Sequence, residues 1–310
     1  MTAGPDDRLP NLLIAGVEKA GTTSLFEYLS QHPDICASLI KEVSYFRPLR
    51  HNLPLAPLDE YRKHFTHCEG QAYLMDASPS YAPAGRPVID AIGRTLGQPR
   101  VIISLRDPAQ RLWSAYTFQR MKGRLRNVKD LEDFIDACEW QRGHDEIDPR
   151  IGIRLLALSV GFYADYLGQW LDEFGEDLRI VFAEDLFEDP DAVVSALCRW
   201  LGIDPEAVTS FRYERRNRTV RPRSARLGRM AYQGRSVTQR LLRRQPRVRA
   251  ALRRVYFGLN SAEQDEVFSA DSRRRLDEIY RESNAALAAM LAQAGYRDLP
   301  AWLQRARQST

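Results

Sequence analysis

Apolar residues along this 310-residue chain gather into short unbroken runs, and the stretches between them repeat their apolar positions at helical spacing. Leu12-Leu13-Ile14-Ala15, Ala72-Tyr73-Leu74-Met75-Asp76, Val101-Ile102-Ile103-Ser104-Leu105 and Leu178 to Phe182 read as strands. The Val101 run is apolar enough to be covered on both faces, as in a parallel sheet. Helical spacing predicts helices from Thr22 onward, over Leu58 to Phe65, Pro87 to Leu96, from Pro108 through Trp113 and Tyr116, Leu131 to Gln141, Ile153 to Phe174, Asp191 to Leu201 and Ser272 to Ala294. Asp107 can cap the helix whose first position Pro108 suits, and Gly202 stops the one before it. Ile35-Cys36-Ala37 is a short segment without a clear period, and no strand signal follows Phe211. Strands alternating with helices predict an α/β fold: a central parallel sheet with right-handed crossovers, flanked by helices, and a helical C-terminal part. Without internal repeats or a clear linker, residues 1–310 are read as one domain.

The first apolar run empties into Gly16-Val17-Glu18-Lys19-Ala20-Gly21, and Thr22-Thr23-Ser24 then open a helix. A buried strand, a tight turn and a helix N-terminus aim backbone N–H groups and the positive helix end at one point, which suits a phosphate. The Gly16-x4-Gly21 spacing is that of a Walker A loop, but Thr22 stands at the position of the Walker lysine. The lysine of this loop is Lys19, three residues earlier, where it can reach a bridging or leaving-group oxygen. An ATP-dependent kinase is the rival reading. It is disfavoured because, with threonine at that position, the γ-phosphate loses its usual cationic partner.

Two further constellations fall at or near strand ends. Arg106 leaves the Val101 strand, and Ser114 lies under two turns into the next helix; a guanidinium fork and a hydroxyl so placed can share a phosphate. Their blander alternative is a surface ion pair and a solvated serine. Two phosphate-sized sites together suggest a nucleotide phosphorylated at both ends. Lys41-Glu42 sits between Leu39-Ile40 and Val43-Ser44-Tyr45-Phe46, so Glu42 is expected to be partly desolvated and thereby tuned toward a general base.

Composition adds an asymmetry. The net charge of +4 conceals a stretch from Arg212 to Arg254 with 16 arginines, no lysine and one acid, Glu214; it carries +15 and leaves −11 elsewhere. Such a block can meet phosphates, acidic saccharides, nucleic acid or an anionic membrane. Within it, Ser236 to Val255 is amphipathic enough either to lie on anionic lipid or to line a cleft as a solvated helix. A pure polyanion-binding module would leave the loop, Glu42 and Arg106 without a purpose. Trp113, Trp140, Trp170 and Trp200 fall within helices and read as core rather than as a base-stacking platform, so no nucleic-acid partner is expected. No run of eighteen apolar residues appears, and MTAGPDDRLPN lacks the apolar core of a signal peptide. Cys36, Cys68, Cys138 and Cys198 are far apart without a CxxC pair, which reads as scattered thiols of a reducing, cytoplasmic setting. His64, His67 and Cys68 are three potential metal ligands within five residues, but no second pair stands at zinc-finger spacing, so no metal is expected.

The motifs GVEKAGTTSL, KEVSYF, DASPSY and LRDPAQRLWSAY, in this order, resemble those of sulfotransferases that use 3′-phosphoadenosine-5′-phosphosulfate. VFAEDLFEDPDAVVSALCRWLGI and the closing RRRLDEIYRESNAALAAML…LPAWL are similar to the bacterial and Golgi carbohydrate branch. The resemblance runs from about Pro10 to Leu303. It implies a metal-free transfer that yields adenosine 3′,5′-bisphosphate. Lys19, Ala20, Gly21, Thr22, Thr23 and Ser24 would hold the 5′-phosphosulfate, with Lys19 stabilising the departing phosphate. Arg106 and Ser114 would hold the 3′-phosphate, and Glu42 would deprotonate the acceptor hydroxyl. The segment NRTVRPRS is similar to the family's closing basic segment and offers Arg223, or else Arg221, as a second 3′-phosphate contact. The implied acceptor is a hydroxyl on a saccharide, glycolipid or glycosylated metabolite, with peripheral contact to an anionic membrane left open. Two departures bear on it: Ser44 replaces the histidine of the heparan-type KE-x-HFF motif, and Ala77 replaces the lysine of its EKTP motif.

Overall fold

The structure, a computed structural model, describes residues 9–125, 127–146, 148, 151, 156–213, 221–222, 261–262 and 267–308. Five strands, β1 (Leu12–Gly16), β2 (Ile35–Ala37), β3 (Tyr73–Ala77), β4 (Arg100–Leu105) and β5 (Leu178–Phe182), form one parallel sheet in the order β2-β3-β1-β4-β5. β1 is central and wholly buried because every side of it is apolar: Leu12, Leu13, Ile14 and Ala15 have no exposed surface. Its neighbours lie in register, Leu12 beside Met75 of β3 and Arg100 of β4.

The residues group into two compact units. The first, Met1–Asp107 with Phe162–Arg216 and Tyr280–Thr310, contains the sheet. One face, with Leu12, Ile14, Met75, Ala77, Ile102 and Val181, packs against α1 (Thr22–Leu29) and α8 (Pro190–Leu201) through Leu25, Leu29, Val194 and Leu197. Alternation along the strands sends Leu13, Val101 and Ile103 to the other face. That side belongs to α3 (Arg86–Leu96) and α6 (Ala164–Phe174), where Trp170 is fully buried and its indole donates to the Ala82 carbonyl at 3.0 Å. The end of the chain closes this core: Leu287, Leu291 and Leu303 are buried, and Trp302 stands against Tyr163 and Phe182 with ring centroids 6.2 and 6.5 Å away.

The second unit is Pro108–Gly161 with Asn217–Ile279. It contains α4 (Pro108–Met121), α5 (Leu131–Gly143) and the first turns of α9 (Ala270–Gln293). Arg275 fastens α9 to α5. Its guanidinium donates to Glu132 at 2.8 Å, Asp136 at 2.6 Å and to Glu139, three acids whose spacing puts them on one helical face.

Several elements differ from what the pattern predicts. Ile35–Ala37 is a fifth strand, too short at three residues to show a period; it gains its partners from β3 alone. Of the helix expected over Ile153 to Phe174, the described residues form a 3-10 turn at Ser159–Gly161 and a helix only from Ala164 onward; residues 152–155 lie outside the described residues. Leu58 to Phe65 stops at Arg62 as α2, and two helices without a sequence reading, α7 (Ala183–Glu188) and α10 (Ala301–Gln308), are present. Arg221–Pro222 pairs antiparallel with Ser261–Ala262 beyond the last expected strand. Cys36 and Cys68, read as separate thiols, are joined in a disulfide across 32 residues, while Cys138 and Cys198 are free and buried. Arg223 and Ser236 to Val255 lie outside the described residues.

Gly16 ends β1 under the segment that follows β3, and a β-carbon placed there would come 2.3 Å from Ala82 Cβ. Gly16→Ala therefore requires backbone movement and is expected to lower stability in urea unfolding by about 1–3 kcal/mol. A change below about 0.5 kcal/mol, the range of neutral surface substitutions, would mean the Ala82 segment yields freely.

Candidate active site

Along the sheet the chain runs β1, β2, β3 to one side of β1 and then crosses to β4 on the other. The order reverses between β1 and β4, and open α/β sheets take ligands at the carboxyl ends of the strands beside such a reversal. The β1–α1 loop lies there. It turns through two left-handed residues, Lys19 (φ 73°) and Gly21 (φ 81°). A glycine costs little in that conformation; a lysine costs about 1 kcal/mol or more and needs outside support. β4 provides it. Val17 N donates to the Ser104 carbonyl at 2.8 Å, the Ser104 hydroxyl donates to the Ala20 carbonyl, and Arg106 Nη1 donates to the Lys19 carbonyl at 3.3 Å. Thr22 and Ser24 are buried at the start of α1, whose N-cap is Gly21, without a side-chain cap and without acidic residues in the first turn. That leaves the helix end positive, a fit for a phosphate.

Arg106 is thus a partner of the loop. Its carbonyl accepts from Tyr163 OH at 2.7 Å and its guanidinium lies 5.8 Å from the Phe187 ring centre. The next residue is anchored too: Asp107 N donates to Glu184 Oε1 at 2.9 Å. Burial pushes the Glu184 carboxyl above its usual range, and the Asp107 amide works against that.

Glu42 is held by its backbone. Its N–H donates to the Ala77 carbonyl at 2.9 Å, at the end of β3, and Glu42 and Ser44 both have positive φ, 65° and 57°. Ser44 N donates to Ser78 Oγ at 2.9 Å, and Ser78 Oγ donates in turn to Asp76 Oδ1 at 2.9 Å. Asp76 has no exposed surface and also accepts from Tyr61 OH at 2.9 Å and Tyr81 OH at 3.1 Å. The expected desolvation of Glu42 is not found. Its side chain is 60% exposed and pairs with Lys41 Nζ at 3.1 Å, because the left-handed backbone turns it outward from the aromatic cluster below.

The first unit thus gathers Lys19, the Ala20–Ser24 turn, Arg106 and Glu42 at the ends of β1, β4, β2 and β3. Ser114 lies in the second unit, on α4, half-buried. Sequence reading missed Ser104, Glu184 and the Asp76 cluster. A lone serine inside an apolar strand and an aspartate ending a buried one were the available signals, since a buried polar group needs a partner.

A parallel sheet with a glycine turn and a positive helix end at its switch point defines a P-loop-like α/β protein. The chain belongs to the sulfotransferase family, whose co-substrate is 3′-phosphoadenosine-5′-phosphosulfate: the model of the sulfotransferase domain matches residues 9–225. Among its relatives, a bifunctional heparan sulfate N-deacetylase/N-sulfotransferase of Drosophila melanogaster is 24% identical over 96% of the chain and 27% of its own length. Heparan sulfate glucosamine 3-O-sulfotransferase 3A1 of Mus musculus is 32% identical over 63% of the chain and 46% of its own length. The chain thus spans less than half of either. A solved sulfotransferase from Alicyclobacillus acidocaldarius shares the fold with a TM-score of 0.63, at 22% identity, over 95% of this chain and 99% of that one. Mouse sulfotransferase SULT7A1, solved with PAP, does so at 0.50 and 14% identity, over 99% and 90%.

Burial raises the Asp76 carboxyl above its usual range, against hydrogen bonds from Ser78, Tyr61 and Tyr81 that lower it. The folded state thus holds this proton more tightly than the unfolded chain, so Asp76 makes stability fall as pH rises from the ordinary carboxylate range to the raised one. Asp76→Asn should flatten that part of the profile in urea unfolding; an unchanged slope would show that Asp76 titrates normally.

Proposed function

We propose that the protein transfers a sulfuryl group from 3′-phosphoadenosine-5′-phosphosulfate to a hydroxyl of a glycan-bearing acceptor. The observation that carries this reading is the hydrogen bond from Arg106 to the Lys19 carbonyl at 3.3 Å, which joins a second cationic anchor to a phosphate loop. In this reading Gly21, Thr22, Thr23 and Ser24 offer backbone N–H groups and hydroxyls to the 5′-phosphosulfate, and Arg106 serves the 3′-phosphate. Glu42 takes the proton of the acceptor hydroxyl as its oxygen bonds to sulfur. The bond from sulfur to the bridging oxygen breaks, and Lys19 offsets the charge that collects there, leaving adenosine 3′,5′-bisphosphate. An exposed Glu42 suits a bulky acceptor, which itself supplies the desolvation when it settles on the site. The O-sulfotransferase among the relatives supports a sugar hydroxyl as acceptor.

Thermal unfolding tests the donor half. Adenosine 3′,5′-bisphosphate without Mg²⁺ should stabilise by about 2.7 kcal/mol at a hundredfold excess over its Kd, and ATP with Mg²⁺ by much less. The opposite ranking would sink the reading. For the chemical step, Glu42→Gln should keep donor binding within a factor of about two while kcat falls by about 10²–10⁴. Near-normal turnover would place the base elsewhere. Lys19→Ala should weaken donor binding and also lower kcat by about 10² or more.

A further inference from the structure

His67 and Cys68 do not belong to the proposed sulfuryl-transfer machinery, yet the fold joins them to a third potential ligand, Cys36 of β2. Cys36 Sγ lies 3.4 Å and Cys68 Sγ 4.0 Å from His67 Nε2, and the ligand atoms of Cys36, His67 and Cys68 all fall within 4.8 Å of one another. Both cysteines are buried while His67 is exposed, so the cluster opens to solvent on its imidazole side. The site is built by backbone, not by chance: Leu39 N donates to the His64 carbonyl at 3.0 Å, and His67 Nε2 lies 3.1 Å from the Ala37 carbonyl. These contacts hold the segment after α2 against the outer edge of β2.

From this arrangement we infer that the dithiol form of the protein binds one zinc-class cation through Cys36, Cys68 and His67, and that the disulfide is the metal-free form of the same site. Two thiolates and an imidazole are the donors such cations select, and a tetrahedral cation with bonds of about 2.3 Å separates its two sulfurs by about 3.8 Å. With the Cα atoms 5.7 Å apart, side-chain rotation can bring the two sulfurs to that separation. A thiol reductant supplies two electrons and two protons: the S–S bond breaks, two S–H groups form, and the reductant is oxidised to its own disulfide. The cation then displaces both thiol protons to solvent and takes Nε2 of the neutral imidazole in place of that atom's contact with the Ala37 carbonyl, the ring proton moving to Nδ1. Water fills the fourth position on the exposed side.

Full-length protein reduced with a dithiol, then freed of reductant under anaerobic conditions, is titrated with Co²⁺ and Zn²⁺. One equivalent of Co²⁺ should give a thiolate-to-cobalt charge-transfer band that Zn²⁺ abolishes, and protein treated with a thiol oxidant should give none. Cys36→Ser should remove the band. His67→Ala, a change at an exposed position that leaves folding intact, should raise the Co²⁺ dissociation constant by roughly tenfold or more. Absence of the band in the reduced protein overturns the proposal. So does a band undiminished in both variants, which would assign it to Cys138 or Cys198.

Discussion

The β1–α1 loop keeps its shape because β4 completes it. A turn with a lysine in a left-handed conformation does not hold itself, and this one has no capping side chain at Gly21. The carbonyl and hydroxyl of Ser104 and the guanidinium of Arg106 supply the missing partners from one strand end. The residues that sit nearest the proposed donor are thus fixed by the same sheet register that sets the core. A one-residue slip of β4 would exchange Ser104 for an apolar neighbour and point Arg106 away.

Around Glu42 the supporting contacts run through a buried carboxylate. Asp76 collects three hydroxyl donors, one of which, Ser78, also receives the Ser44 amide. The left-handed backbone at Glu42 and Ser44 is held by that relay and by the Ala77 carbonyl. Aromatic packing completes it: Tyr45 stacks on Tyr61 at 4.5 Å, and Phe46 is fully buried between Tyr61 and Tyr81. Packed aromatic rings thus lie beneath an exposed glutamate, and in the proposed reaction that exposure lets Glu42 meet acceptors of different shape.

The parallel sheet was legible because fully buried strands write themselves as unbroken apolar runs, and the phosphate loop because glycine and lysine spacing is local. Lys19, Arg106 and Glu42 stand out as candidates for that reason. What failed to show was either short or distant. β2 has three residues, so no period can be read from it; apolar spacing alone carries a helix back from Ala164 through what is a 3-10 turn at Ser159–Gly161. Cys36 and Cys68 meet only because β2 pairs with β3 and the segment after α2 folds over its edge. The exposure of Glu42 follows from a positive φ, which a glutamate does not announce.

The unit that holds the sheet is assembled from three separated stretches, and its last buried residues, from Tyr280 to Leu303, come some 170 positions after Arg106. Trp302 backs Tyr163, and Tyr163 in turn fixes the carbonyl of Arg106. During synthesis the loop and its anchor therefore emerge early and wait. Until residues 280–303 have left the ribosome, the nascent chain carries an unfinished apolar face and an Arg106 anchor without its backing, the kind of transiently exposed surface that favours misassembly.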